Sequence, residues 1–98
     1  MATTSAAKLE TASAGRYLGQ FCKHFAHRVP VNLAASGNAG IVTFDGGICT
    51  LRADDTALAL RLDAATTEDA ERLQGVIERH LARFAFREAP SLVWQISA

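Results

Sequence analysis

Cysteine, proline and methionine are all scarce in this 98-residue chain: two, two and one. Two cysteines, Cys22 and Cys49, cannot build the disulfide framework of a small secreted domain, and they lack the paired spacing of a zinc site. No stretch approaches the roughly 20 apolar residues that a membrane helix needs. Neither sign of charge is in excess, since ten Lys and Arg face ten Asp and Glu. A nucleic-acid binder normally shows a basic surplus, so that class is set aside. The first residues, Met1-Ala2-Thr3-Thr4-Ser5, carry neither a basic cluster nor a long apolar run, and no secretory leader is expected. The expectation is a reduced, cytoplasmic setting with free thiols, no membrane and no nucleic-acid partner.

What remains is ordinary globular composition, 49% hydrophobic and 20% charged. The length suits one domain spanning residues 1–98, and a chain of this size buries enough surface to form a core without staples. The opening residues through Thr11 alternate only weakly and are read as an edge strand or a loose segment. Ser13 is a candidate helix cap. Ala14, Tyr17, Leu18, Phe21, Cys22 and Phe25 then recur at helical spacing, and Pro30 closes the segment.

From Val31 to Asp63 the period becomes two. Val31, Leu33 and Ala35 form a first strand, and Ser36-Gly37-Asn38 a turn. Ile41 to Phe44 is a second strand, with Asp45-Gly46-Gly47 as a hairpin signal. Ile48 to Ala53 and the Leu58/Leu60/Leu62 alternation complete an antiparallel meander. Thr66-Thr67-Glu68-Asp69 opens a second helix with a cap and early acids, and Ala70, Leu73, Ile77, Leu81 and Phe84 carry its apolar face. After Pro90, Leu92 to Ile96 reads as a last strand. The order β-α-β4-α-β predicts an α+β two-layer sandwich: an antiparallel sheet of four to six strands with two helices on one face.

Candidate chemistry lies on the helices. His24 and His27 fall about 60° apart on a helical wheel, on the flank of Gln20, whereas Cys22 points roughly 160° away from His24. Cys22 therefore leaves any ligand set. A third imidazole, His80, would complete a His24/His27/His80 metal site if the helices lie side by side. The plainer reading makes His24 a half-buried packing residue, places His27 at the helix end, and puts His80 in the core with a hydrogen-bonded ring. Arg72, Arg79, Arg83 and Arg87 line one side of the second helix, while the first carries Arg16, Lys23 and Arg28 without an acid. A groove between them would suit a carboxylate or phosphate, although local pairs such as Glu68–Arg72 offer a simpler role.

Two strings are distinctive. Arg16-Tyr17-Leu18 with Cys22-Lys23-His24-Phe25-Ala26-His27, Gly46-Gly47, and His80-Leu81-Ala82-Arg83-Phe84-Ala85-Phe86-Arg87-Glu88 followed by Trp94 resemble the uncharacterised bacterial family DUF2218 over nearly the whole chain. The resemblance implies a small bacterial domain without assigned catalytic residues. It also implies an association with siderophore-interacting flavin reductases, hence with iron handling.

The resulting expectation is a non-enzymatic binding or accessory domain with no cofactor. Its pocket between helices and sheet would be lined by Gln20, His24, His27, His80, Arg83 and Arg87, and its partner would be a small anion or a siderophore-related molecule. A homodimer is expected through the outer sheet face, where Ala57 and Ala59 leave few charges. The competing readings are a metal-dependent enzyme on the three histidines and a purely structural interaction module.

Overall fold

Two glycine-bearing turns and one run of alternating leucines set the sheet. The computed structural model describes residues 2–84 and 92–97. Its elements are β1 (Thr3–Glu10), α1 (Ala14–Phe25), β2 (Val31–Leu33), β3 (Ala39–Phe44), β4 (Gly47–Ala53), β5 (Ala57–Ala64), α2 (Thr67–Phe84) and β6 (Gln95–Ser97). All described strands pair antiparallel in one sheet of order β2-β3-β4-β5-β1-β6. The α+β architecture expected from the periodicity is therefore present.

The hairpin between β3 and β4 is as tight as its sequence suggests. Phe44 pairs with Gly47, so Asp45 and Gly46 are the whole loop, and Gly46 takes φ +93°, a conformation that side chains disfavour. Core-facing positions then alternate: Cys49, Leu51 and Ala53 on β4, Leu58, Leu60 and Leu62 on β5, Ser5, Ala7 and Leu9 on β1. α1 lies over β2, β3, β4 and β5, and α2 over β5, β1 and β4, both on this face. α1 inserts Tyr17, Leu18, Phe21, Cys22 and Phe25, and α2 adds Ala70, Leu73, Ile77 and Leu81.

Several expectations change. β1 is an internal strand between β5 and β6, not an edge or a loose segment. Its inward residues are small or polar, and α2 satisfies them: Gln74 donates to the Ser5 hydroxyl at 2.8 Å, and the Thr3 and Thr67 hydroxyls lie 3.0 Å apart. Ser13 makes no side-chain cap; instead its amide donates to the Thr11 hydroxyl. Thr66 does cap α2, accepting from the Asp69 amide at 3.0 Å. β2 stops at Leu33 and β6 begins only at Gln95, so Ala35 and Leu92 fall outside strands.

Ala57 shares the outward parity of Ala59 and Arg61 but is buried, so it adds no exposed surface to the open face of the sheet. That face does carry Ala6, Ala59, Ile41 and Ile48, but Lys8, Arg52, Arg61 and Asp63 stand among them. Arg61 and Asp63 pair at 3.2 Å, and Thr4 donates to the same carboxylate. A two-fold pairing through this face would have to bury those charges, which is costly unless each finds a partner. Among the described residues no helix is long and apolar enough to cross a membrane.

Candidate functional site

His24 and His80 meet where the last turn of α1 packs on the C-terminal half of α2. Their ring centroids are 4.7 Å apart at 46°. The pair sits in an aromatic cage. Phe25 lies 5.0 Å from His24 and 4.8 Å from His80, Phe84 lies 5.8 Å from His24, and Phe44 closes on Phe25 at 5.0 Å. Helical spacing explains the convergence on α2, because Val76, His80 and Phe84 follow one another at i, i+4 on the face turned to α1.

The two rings differ in their hydrogen bonds. His80 Nδ1 lies 2.7 Å from the Val76 carbonyl, which can only accept, so Nδ1 carries the proton. In the neutral ring Nε2 is then left as the acceptor. His24 Nε2 is buried with no hydrogen-bond partner. Burial holds the His24 imidazole below its ordinary range, and His80, Arg28, Arg83 and His27 push it the same way. Among the described residues no carboxylate acts on it. An unsatisfied ring nitrogen in a cationic neighbourhood favours the arrival of an acceptor with negative charge.

The three-histidine metal set does not form. His27 lies in the turn beyond Phe25, exposed, where the helical wheel no longer governs its direction. The His24 and His80 rings lie against each other at a tilt of 46°, and His80 Nδ1 is already engaged. Among the described residues no three of His, Cys, Asp and Glu are placed to hold a metal ion.

The arginine groove is shorter than its sequence suggests. Arg72 is drawn to the opposite end of α2, donating to the Asp45 carbonyl at 2.8 Å and pairing with Asp69, not Glu68, at 3.2 Å. Arg16 stacks over Tyr17 at 5.4 Å and lines a separate cleft of about 430 Å³ with Asp54 and Asp55. Asp54 is held there as a turn acceptor for the Thr56 and Ala57 amides, bonds that keep its carboxyl below the usual range. Among the described arginines, Arg28 and Arg83 act on His24. Gln20 is exposed one turn before His24, and Arg87 lies outside the described residues. Phe21, Phe25 and Leu81 are buried between helices and sheet and fill the space where the pocket was expected.

The cysteines are packing residues. Burial raises the Cys22 thiol and pushes Cys49 up to about 12, with the neighbouring Cys22 adding to the second effect. Neither is a nucleophile at neutral pH.

A family described as an uncharacterized protein conserved in bacteria, DUF2218, matches residues 6–95. The chain belongs to this family. The NMR structure of PA4090 from Pseudomonas aeruginosa is similar over 97% of this chain and 96% of that one, at 28% sequence identity and a TM-score of 0.77. No functionally curated protein matches the chain. The DUF2218 fold is therefore shared, while the residue roles rest on the geometry above. Arg28 was among the first-helix cations that the sequence set beside the expected groove, whereas the Phe25/Phe44/Phe84 cage was not singled out, because it depends on how α1 and α2 cross over β3.

Proposed function

We propose that this DUF2218 domain is a non-catalytic binding module that takes a small anionic ligand at the joined ends of its helices. One observation carries the reading: a buried, unpartnered His24 Nε2 on which His80, His27, Arg28 and Arg83 act and, among the described residues, no acid does. A carboxylate or phosphate oxygen would accept from protonated Nε2, and the two guanidinium groups would share its charge. Gln20 is exposed one turn before His24, and Arg87 comes four residues after Arg83 in the sequence. The association with iron and siderophore use that the family resemblance implies agrees with this chemistry, because iron chelates of carboxylate type are anions. Binding would take up a proton at His24.

The test uses citrate and inorganic phosphate as probes, with the histidine ring signals followed by NMR across pH. Either anion is expected to raise the His24 pKa and to saturate. His24→Phe is expected to lose that binding while gaining about 1 kcal/mol of stability, since it retains the aromatic contacts and removes an unpaired buried nitrogen. If millimolar anion leaves the His24 signals unmoved, the reading fails. The ring pair would then be packing alone.

A further inference from the structure

The described sheet ends on two strands with a single neighbour, β2 and β6. A free strand edge is a row of backbone groups without partners. At β2 those groups can be named. The Pro30 carbonyl accepts from the Thr43 amide at 3.0 Å, and the Ala34 amide donates to Ala39 at 2.9 Å. In an antiparallel ladder, residues that exchange hydrogen bonds alternate with residues that do not. Pro30, Asn32 and Ala34 therefore turn towards β3, and Val31 and Leu33 turn their amides and carbonyls to the open side.

Apolar surface flanks this edge on both faces. On the helix side a groove of about 170 Å³ is lined by Cys22, Lys23, Ala26, Val31 and Leu33. On the outer side a groove of about 220 Å³ runs past Leu33, Ala39 and Ile41. Leu33 is 47% exposed and Ile41 41%. Successive side chains of an added strand point to opposite faces, so they would enter these two grooves in turn.

Charge selects the occupant. Residues 11–44 contain no Asp or Glu, although the chain as a whole is neutral. Lys23 is exposed and lines the helix-side groove, and Arg28 stands just before the strand. A second copy would set this acid-free edge against another like it. An acidic strand meets it with opposite charge.

We propose that the β2 edge is a docking site for an extended acidic segment of a partner protein, added to the sheet as a further strand. Main-chain hydrogen bonds to Val31 and Leu33 would supply affinity, and Lys23 would favour acidic over basic segments.

The test titrates the full chain with synthetic peptides of roughly eight residues. One peptide alternates glutamate with valine, and its counterpart alternates lysine with valine. Amide shifts are read by NMR at low salt. The acidic peptide is expected to move and saturate Val31, Asn32 and Leu33, binding at least about tenfold tighter than the basic one. Leu33→Pro removes one outward N–H and leaves the bonds to β3 in place, so it is expected to abolish binding in a domain with an unchanged remaining spectrum. Lys23→Glu is expected to remove the preference for the acidic peptide while the fold persists. Equal binding of both peptides, or shifts centred on β6 or the outer sheet face, would overturn the proposal. So would concentration-dependent broadening of Val31 and Leu33 without peptide, which assigns the edge to a second copy.

Discussion

The two helices cover the same sheet but are held to it by different physics. α1 buries six of its 12 residues and contains no acid. α2 buries four of 18 and is tied down by polar contacts: the Thr66 cap, Arg72 to the Asp45 carbonyl, Gln74 to Ser5, and Glu78 accepting from the Trp94 indole at 2.7 Å. Asp69, Arg72 and Glu78 of α2 are thus employed within the fold. At the end of α1 and in the turn after it, Lys23, His24, His27 and Arg28 form no ion pair with a described acid. The end of the helix that apolar burial already secures is where cations stand without a described acid beside them.

The contrast breaks most sharply in the core. Phe21→Ala is expected to cost about 3–5 kcal/mol in denaturant unfolding, because it empties a fully buried position under α1. Gln74→Ala on α2 should cost only about 1 kcal/mol, the usual value of one hydrogen bond. Comparable losses from the two would show that both helices depend on burial alike.

A smaller effect is expected where the helices touch glycine. A Cβ on Gly40 would lie 2.7 Å from Cys22 Sγ, and one on Gly47 would lie 2.7 Å from Leu73 Cδ1 and 3.2 Å from the Asp63 carbonyl. Overpacking of this kind costs about 1–3 kcal/mol. Under α1 the obstacle is one side chain, so Cys22→Ala is expected to rescue Gly40→Ala, with a coupling of about 1 kcal/mol in a double-mutant cycle. Under α2 the backbone of β5 also blocks the site, and Leu73→Ala should rescue Gly47→Ala only in part. Strict additivity at Gly40 would mean that α1 shifts bodily on the sheet.

How much of this was readable in advance follows the same division. The Asp45-Gly46 hairpin, the leucines of β5 and the acidic opening of α2 are local signals, and local signals survive folding. β1 was obscured because its inward positions include Thr3, Ser5 and Ala7, small or polar groups whose burial depends on Thr67 and Gln74 some sixty residues away. The site was half legible. Helical spacing set His80 on the inner face and removed Cys22 from the ligand set. It could not place the His24 ring against His80, nor show that α1 ends before His27, because both depend on how the helices cross. The short β2 edge follows from strand order, which no periodicity records.

Capping gives the next comparison. Thr66→Ala is expected to lower stability by about 1 kcal/mol through loss of the bond to the Asp69 amide. Ser13→Ala should change it by a few tenths at most, since the Ser13 side chain caps nothing. Thermal melts of the two variants side by side decide the matter, and equal losses would mean that the Ser13 hydroxyl does cap α1.

The smallest effect belongs to a single proton, and it ties the bare charge of α1 to stability. His24 has its folded pKa lowered, first by burial and then by His80, Arg28, Arg83 and His27. Below the ordinary imidazole value of about 6.5 the unfolded chain binds this proton more readily than the fold does. The contribution of His24 is therefore complete above that value and declines as pH falls towards the folded pKa. His24→Phe should flatten this part of the stability-versus-pH curve, measured by denaturant midpoints at low salt. Arg83→Gln should flatten it only slightly, because an exposed guanidinium is partly screened. A saturating anion should do what neither substitution does and reverse the slope, since an acceptor at Nε2 raises the folded pKa. A slope that citrate leaves unchanged would mean that the unpartnered nitrogen of His24 has no part in binding.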